Sequence, residues 1–380
     1  MNLTTNFFSK NLPSYILTQI ISMIILLYKV LCWFDERRFM KEELIEVLKS
    51  TDVKDDAKAV VMPHFCIDNI ISYDKSIDEL TDDMKRIISR GGGNLVVKQN
   101  LQRGGKAANL ASALASLGIK TYLTAKTNPL GFEILKHFLK GKDVDLSHVS
   151  TDGELAVTSA VELKGSNVMI SDPGSLISFS SGDISGNDEK LIAESEVVCI
   201  SDWGLNERGT ELARHVFGIA RENGKKAFFD PGDPSPKLDN TENELNKLYN
   251  EVISGDLVDM LSVNEDEVLR YGLEQDFDLS VNNLKKHTRI DLHTSKFSRS
   301  ISNDEDSGEI PVFEIDPKRL TGAGDSWNAG NLFGELAGLK PEHRMLTANA
   351  VAGYYISSPG GAHPSKDELI KFIWENKNID

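Results

Sequence analysis

The ten residues Thr321-Gly322-Ala323-Gly324-Asp325-Ser326-Trp327-Asn328-Ala329-Gly330 decide how the rest of the chain is interpreted. Two glycines flank an alanine, so the backbone can approach a ligand closely and adopt conformations that side chains disfavour. Helix-compatible sequence follows from Ser326, which predicts that the turn opens a helix whose free amides and positive dipole end attract an anion. Asp325 lies at the mouth of this site, where it could accept a proton. An anion hole beside a carboxylate base suits phosphoryl transfer to a hydroxyl. The same turn also fits an ordinary helix start that Thr321 or Asp325 caps.

Length, composition and charge describe a globular protein with an acidic surface. The chain has 380 residues, of which 40% are hydrophobic and 26% are charged, and its formal net charge is −16. This charge disfavours binding to nucleic acid and to anionic membranes. Three distant cysteines, Cys32, Cys66 and Cys199, form no disulfide or zinc pattern, which favours a reducing cytoplasm. Motifs of dinucleotide-binding proteins, P-loop enzymes and serine hydrolases with a nucleophile elbow are absent from the sequence.

The periodicity of apolar residues predicts alternating strands and helices. Residues 57–71, with a continuous apolar run over 59–62, indicate a buried strand that continues into a loop, with Asp68 just past the end of the strand. Further strands are predicted over 121–124, 156–163, 167–170, 197–201, 227–230 and 260–264. Helices are predicted over 41–50, 107–117, 130–138, 207–223, 242–251, 344–357 and 366–376.

Three more segments accompany the C-terminal turn, in a fixed order along the chain. They are Asp68 after the first strand, Gly104-Gly105-Lys106-Ala107-Ala108-Asn109 at a helix start, and Asn264-Glu265-Asp266-Glu267 after a later strand. Together with the turn they resemble the motifs of the ribokinase-like (PfkB-type) carbohydrate kinases, over roughly residues 57–365. Four ordered matches are far more specific than any single glycine-rich motif.

The resemblance implies a fold and a division of the chain. The fold is α/β, a three-layer α/β/α ribokinase-like fold with a mostly parallel central sheet and a small β-sheet lid. Residues 40–380 would form the kinase domain, with lid candidates near 94–103 and 155–172. A lid is chemically sensible, because excluding water protects the transferred phosphoryl group from hydrolysis. A free edge of the lid sheet could also pair two subunits into a homodimer.

The resemblance also assigns roles to individual residues. The catalytic set is Asp325 as the general base and the amides of Gly322, Ala323 and Gly324 as the anion hole. The acceptor would be held by Asp68, Gly104, Gly105 and Asn109. The nucleotide would be held by Thr321, Asn264, His293, Thr294 and Gly361. Glu267 and Asn264 would act through water on a Mg²⁺ ion, which keeps several of its own waters.

Local structure offers a second explanation for several of these residues. Asp68 could be a turn or cap residue, and the double glycine could simply mark a helix start. Asn264 could be a helix N-cap, with Glu267 completing a capping box. Arg319 stands where many relatives have an aspartate, and residues 289–314 lack the glycine-bearing segment that usually holds the nucleotide. These departures leave open the phosphate donor and a site for a monovalent cation, and Lys296 and Arg299 could meet phosphates instead.

The function that the resemblance implies is that of a sugar kinase, which would transfer the γ-phosphate of ATP, with Mg²⁺, to a hydroxyl of a small sugar or polyol. Alternatives within the fold are a nucleoside kinase and a kinase that uses ADP as its donor. A catalytically silent ligand-binding protein is the alternative from another class. The sequence does not name the acceptor.

The extension over residues 1–39 has no counterpart in the family. Residues 15–34 form a hydrophobic segment about as long as a membrane-spanning helix, although it contains Gln19 and Lys29. It could be a membrane anchor that keeps the kinase domain in the cytoplasm, since Arg37, Arg38 and Lys41 follow it. It could also be an added core helix, or it could precede the natural start at Met40.

Overall fold

The computed structural model describes residues 23, 40–51, 53, 57–164, 166–237, 241–319 and 321–376. The chain divides into two compact units, Met1–Thr51 and Asp52–Asp380. In the first unit, residues 40–50 form the helix that the sequence predicts over 41–50. The hydrophobic segment 15–34, apart from Met23, lies outside the described residues, as does most of the extension 1–39. Among the helices of the described residues, none has the length and apolar character needed to cross a bilayer.

The second unit is built on a nine-stranded sheet. Its strand order is β15-β14-β13-β12-β11-β10-β1-β4-β6, and all pairs from β13 to β6 are parallel. The last three strands along the chain form an antiparallel meander at one edge. The strands of this sheet are β1 (Lys58–Met62), β4 (Lys120–Leu123), β6 (Val144–Asp145), β10 (Val197–Ser201), β11 (Lys226–Asp230), β12 (Met260–Val263), β13 (Arg289–His293), β14 (Phe297–Ile301) and β15 (Ile310–Pro311). Two short strands, β5 (Ala125–Lys126) and β7 (Val149–Ser150), pair separately.

Helices accompany these strands, and those between successive parallel strands provide the crossover connections that parallel pairing requires. They are α1 (Ile77–Ile88), α2 (Lys106–Ser116), α3 (Pro129–Phe138), α4 (Gly186–Glu194), α5 (Gly209–Glu222), α6 (Thr241–Leu248), α7 (Glu265–Tyr271), α8 (Phe277–Leu284), α9 (Ala323–Leu336), α10 (Pro341–Ser357) and α11 (Lys366–Glu375). Val60 and Met62 of β1 belong to a buried cluster with Leu212 and Val216 of α5. The helix α9 packs against both α2 and α10. The predicted three-layer α/β/α arrangement with a mostly parallel sheet is confirmed.

A four-stranded lid sheet, in the order β3-β2-β8-β9, completes the fold. Its strands are β2 (Cys66–Ser72), β3 (Lys98–Gly104), β8 (Ala156–Leu163) and β9 (Ser166–Asp172). The segments 94–103 and 155–172 supply three of these strands. The expectation that residues up to 71 continue from a strand into a loop was wrong, because Cys66–Ser72 is itself a lid strand. Pro63, which lacks the N–H that a strand ladder needs, separates it from β1.

Candidate active site

The Gly-Ala-Gly turn opens α9, as the sequence predicts. Gly322 is the N-cap of this helix and has φ = 87°, a conformation that favours glycine. A Cβ on Gly322 would lie 2.5 Å from the hydroxyl oxygen of Tyr355, so the turn has no room for a side chain. The first amides of a helix have no partner within the helix, so those of this turn are suited to an anion.

Asp325 lies in the first turn of α9 and is only 6% exposed. Its Oδ2 atom accepts a hydrogen bond from Nδ2 of Asn109 at 2.9 Å. Burial raises the pKa of Asp325 to about 6, and Asp230 adds to the rise, whereas Lys106 and the bond from Asn109 oppose it. A carboxyl group with this pKa is largely ionised at neutral pH and is still a stronger base than an exposed aspartate.

Asp68 and the double glycine meet at the junction of the lid and α2. Gly104 ends β3, and a Cβ there would collide with the carboxylate of Asp68. Gly105 has φ = 88°, and a Cβ there would lie 2.6 Å from the carbonyl oxygen of His64. Both glycines are therefore required by close packing. Asn109 lies one turn into α2, where it reaches Asp325.

Asp68 lies within the lid strand β2 and not beyond a strand end, which corrects its predicted position. It is 6% exposed, and its Oδ1 atom accepts a hydrogen bond from the thiol of Cys66 at 3.3 Å. Burial raises the pKa of Asp68, while Cys66, His64, Arg319 and Arg103 lower it. The carboxylate lies directly against the backbone of Gly104 in the neighbouring lid strand.

A network of hydrogen bonds that includes one ion pair lies next to Asp325. Lys106 Nζ donates to both carboxylate oxygens of Asp230 at 3.1 Å. Asn328 Nδ2 donates to Asp230 Oδ2 at 2.8 Å and its Oδ1 atom accepts from Ser262 at 2.6 Å. Burial alone would lower the pKa of Lys106, but Asp230, Asp325 and Glu267 hold it above its usual range. A permanent positive charge therefore lies close to the carboxylate of Asp325.

Asn264 and Glu267 form a capping box at the start of α7, the local explanation that the sequence also allowed. Asn264 Oδ1 accepts from the amide of Glu267 at 2.9 Å, and Glu267 Oε2 accepts from the amide of Asn264 at 2.9 Å. Burial raises the pKa of Glu267 to about 7; Lys106 opposes this rise, and Asp230 and Asp233 add to it. Glu267 is therefore close enough to the Lys106–Asp230 pair to interact with it electrostatically.

His293 ends β13 close to the turn, and Thr294 directly follows the strand. A Cβ on Gly324 would lie 3.6 Å from Cε1 of His293, whose ring packs against Trp327 with the centroids 5.0 Å apart. Burial lowers the pKa of His293 to about 4, so the ring is neutral at pH 7. Thr294 Oγ1 accepts from the amides of Lys296 and Phe297 and so closes the turn into β14.

Thr321 and Gly361 lie at the other end of the turn, on either side of Arg319. The carbonyl oxygen of Thr321 accepts from the hydroxyl of Tyr355 at 3.3 Å and from Nε of Arg319 at 3.4 Å. The Arg319 guanidinium lies over the Tyr355 ring, 4.6 Å from its centroid. Gly361 has φ = 63°, and a Cβ there would collide with this guanidinium.

The structure brings together Asp325, Asn109, Asp68 and both glycine motifs, and it adds residues that sequence reasoning did not assign to the site. Lys106 is adjacent to the double glycine and Asp230 ends a strand, so local features of the sequence could have identified both as site residues. No such feature marks Arg103, whose Nε donates to Asn109 Oδ1 at 3.0 Å, or the buried contact between His64 and Asp202. Their partners are distant in sequence. Lys296 is exposed, and Arg299 pairs with Asp306.

Sequence comparison identifies the family. The profile of the pfkB family carbohydrate kinases matches residues 68–368. A protein from Pyrococcus horikoshii that is named as a sugar kinase is 29% identical over 281 residues, which cover 71% of this chain and 86% of that protein. A 5-dehydro-2-deoxygluconokinase from Geobacillus thermodenitrificans is 27% identical over 292 residues, covering 71% and 83%.

Solved structures share the fold. A structure from E. coli named as ribokinase II superposes with a TM-score of 0.70 at 16% identity, covering 84% of this chain and 99% of that one. Arabidopsis thaliana ribokinase, complexed with ribose and ATP, gives 0.64 at 18% identity, covering 84% and 98%. The family profile spans well over half of the chain. We conclude that this chain belongs to the pfkB family of carbohydrate kinases and is a phosphotransferase with an alcohol group as its acceptor.

Proposed function

We propose that this protein transfers the γ-phosphate of ATP to a hydroxyl of a small sugar or polyol, with Asp325 as the general base. One observation carries the proposal. A buried carboxylate with a pKa raised to about 6 lies in the first turn of α9, beside the amides of Gly322, Ala323 and Gly324. A base and an anion hole on a single turn are what transfer to a neutral hydroxyl requires.

The acceptor would lie between the lid and α2. Asp68 can accept hydrogen bonds from acceptor hydroxyls, and the bare backbone of Gly104 and Gly105 lets a small molecule approach closely. Asn109 is fixed by its bonds to Asp325 and Arg103, so a hydroxyl near it is also near the base. This arrangement supports capture of a compact polyol.

The proposed step conserves atoms and charge. The acceptor oxygen forms a bond to the γ-phosphorus as the bond from that phosphorus to the β–γ bridging oxygen breaks. The hydroxyl proton passes to the carboxylate of Asp325, and ADP leaves with the bridging oxygen. The amides of the turn stabilise the negative charge on the transferred group. Lys106 keeps Asp325 ionised until the proton arrives.

The residues near Asn264 fit a Mg²⁺ ion held through water. Mg²⁺ keeps several waters and needs few protein ligands, and the described residues contain no cluster of three or more side chains that could ligate a metal directly. The capping box uses Oε2 of Glu267, which leaves Oε1 for an ordered water. When bound, Mg²⁺ would neutralise charge on the nucleotide phosphates.

Thr321, His293, Thr294 and Gly361 are proposed to border the nucleotide, with Asn264 at its phosphates. We extend the proposal to a cytoplasmic location, where ATP is plentiful and Cys66 and Cys199 stay reduced. We also extend it to a homodimer through the lid, because β9 ends the lid sheet and exposes Val168, Met169 and Ile170.

A donor and acceptor panel on the full chain tests the proposal. It crosses ATP, ADP and GTP with sugars, cyclitols and nucleosides, with Mg²⁺ throughout, and records both thermal stabilisation and product formation. Phosphorylation of a sugar or polyol by ATP is the expected result. Faster turnover of a nucleoside, or of any acceptor with ADP, would replace the proposal with the corresponding kinase. Binding without turnover under every donor would overturn it.

A further inference from the structure

Two arginines converge on the space between Asp68 and Asp325. Arg103 is the next-to-last residue of the lid strand β3, and Arg319 precedes the turn that opens α9. Both act electrostatically on Asp68, and each is close enough to Tyr355 to lower the pKa of its hydroxyl, which burial raises. Two positive groups are thus concentrated at one point of a chain whose net charge is −16.

Most N–H groups of these two guanidiniums have no hydrogen-bond acceptor among the described residues. Arg103 donates from Nε to Asn109, and Arg319 donates from Nε to the Thr321 carbonyl and lies over Tyr355. In the described part of the chain, no carboxylate lies within ion-pair distance of either guanidinium. Each arginine therefore presents a fork of N–H donors that could hold a planar or tetrahedral anion.

Several other buried or partly buried cations of this unit have carboxylate partners. Lys106 is paired with Asp230. Arg289 is paired with Asp291 and Glu335, and Arg344 bonds to the same two carboxylates. These pairs offset the cost of burying a charge.

Lys142 and Lys237 are partly buried and donate to uncharged oxygens, those of the Ser116 hydroxyl and the Asn206 carbonyl. Arg103 and Arg319 differ from both lysines because they border the proposed acceptor site.

Burial lowers the pKa of Arg103 to about 10, with Arg319 contributing to the fall, yet the group remains charged at pH 7. A partly desolvated positive charge without an ion-pair partner gains more from a bound anion than an exposed arginine does. The missing partner is best supplied by a ligand.

We propose that the natural acceptor is an anionic sugar, with a carboxylate or phosphate group that Arg103 binds and Arg319 supports. The proposal rests on the proposed kinase function and names its substrate class. The anionic end of the acceptor lies against the two arginines, while a hydroxyl at its other end lies against Asp325. Asn109 links the two ends, because its Oδ1 atom accepts from Arg103 and its Nδ2 atom donates to Asp325.

The position of Arg103 favours the acceptor over the nucleotide as its ligand. Arg103 directly precedes Gly104-Gly105 and bonds to Asn109, and all three belong to the proposed acceptor set. The ionisable groups that act most strongly on Glu267, which is proposed for the nucleotide phosphates, are Lys106, Asp230 and Asp233. Those that act on Arg103 are a different set, Tyr355, Arg319, Asp325 and Asp68. Arg319 lies between the two regions, so its ligand must be tested separately.

Matched acceptor pairs test the proposal on the full chain. The probes are gluconate against glucitol, ribose 5-phosphate against ribose, and fructose 6-phosphate against fructose. Thermal shift without nucleotide measures binding, and initial rates with ATP and Mg²⁺ give KM for acceptor and donor. The carboxylate and phosphate arms distinguish the two kinds of anion. The variants are Arg103→Gln, Arg103→Lys and Arg319→Gln, with Arg214→Gln as a control because Arg214 is an exposed partner of Glu251.

The expected result is that the anionic member of at least one pair binds at least ~10-fold more tightly than its neutral partner. Arg103→Gln should remove this preference by raising KM for the anion ~10- to 100-fold. It should change KM for the neutral partner much less, and Arg103→Lys should be intermediate. Arg214→Gln should match the parent protein. The readout is the ratio of KM for the anionic acceptor to KM for the neutral one. Turnover alone does not serve, because loss of the bond from Arg103 to Asn109 also lowers turnover with both acceptors.

Two results would overturn the proposal. One is equal binding of the charged and neutral members in every pair. The other is a loss of turnover in Arg103→Gln that is the same for both members, which would assign the arginine to the transferred phosphoryl group. A rise in KM for ATP alone in Arg319→Gln would remove that residue from the acceptor site. Anion-selective binding without any phosphorylation would instead contradict the proposed kinase function and leave anion recognition intact.

Discussion

Asn109 Nδ2 donates to Asp325 Oδ2 at 2.9 Å and so joins two residues that are 216 positions apart. Asn109 lies in the first turns of α2 after the double glycine, and Asp325 lies in the first turn of α9 after the Gly-Ala-Gly turn. The bond therefore holds together the N-terminal ends of two helices, each of which has glycine as its N-cap. The bond fixes the orientation of the carboxylate that we propose as the base.

Replacing Asp325 with Asn should lower kcat by ~10² to 10⁴ while acceptor and nucleotide still bind. The amide keeps the shape of the side chain and can still accept from Asn109, but it cannot take a proton. Initial rates and thermal shifts with each substrate measure the two effects. Turnover close to that of the parent protein would disprove the role of Asp325 as base.

The same variant should be more stable than the parent protein above pH 6. The pKa of Asp325 is about 6 in the folded state and 3.8 for an unperturbed aspartate, so the folded state binds the proton more tightly. Stability therefore falls as pH rises through the window from about 4 to 6, and the cost persists above it. Asp325→Asn removes this cost, on the order of 1–3 kcal/mol. Denaturant melts at pH 5 and 8 measure it, and an equal effect at both would contradict the assignment.

The pH dependence of kcat/KM should show an acidic limb with a midpoint near 6 and a plateau above it, because only the ionised carboxylate is a base. Lys106 opposes the rise in the pKa of Asp325, so Lys106→Met should move the midpoint upward. Adding Asp230→Asn should move it back, since Asp230 raises the same pKa. A midpoint that is unchanged in both variants would exclude Asp325 as the titrating group.

Two substitutions should separate the structural role of Glu267 from its proposed role at the metal ion. Glu267→Gln keeps a capping box, so its melting temperature should stay close to that of the parent protein, whereas Glu267→Ala should lose about 1 kcal/mol. Both should raise the Mg²⁺ concentration that gives half-maximal rate if the carboxylate acts on the ion through water. A Mg²⁺ titration of the rate at pH 8 measures this, above the raised pKa of Glu267. An unchanged titration in Glu267→Gln would leave only the capping role.

Gly322→Ala should cost at least ~1 kcal/mol and most of the activity, because the residue has φ = 87° and its Cβ would contact Tyr355. Gly218→Ala is the matched control. Gly218 lies inside α5, and a Cβ there meets nothing within 4 Å. That change should be neutral or stabilising by about 0.5–1 kcal/mol. Chemical denaturation and initial rates of the two variants check both expectations, and equal effects would show that the turn tolerates a side chain.

Local patterns predicted much of this fold and part of its site. The strands 156–163 and 197–201 have the predicted bounds, since alternating or continuous apolar runs determine them. The strand Cys66–Ser72 was missed, because its nearly continuous apolar run with β1 hides the break at Pro63. Arg103 and the Lys106–Asp230 pair were also missed as site residues. Their geometry depends on contacts between strands and helices far apart in sequence, for which a single chain carries no periodic signal.

The position of Asp68 on the lid bears on whether the phosphoryl group passes to the acceptor or to water. In the role proposed for Asp68, the carboxylate that binds the acceptor belongs to the sheet that covers it, because Asp68 lies in β2 and Gly104 ends the neighbouring β3. On this proposal an acceptor that bonds to Asp68 would also hold the lid, whereas a water molecule in its place would not. Acceptor binding would then be coupled to solvent exclusion, and we expect hydrolysis of ATP without an acceptor to be slow.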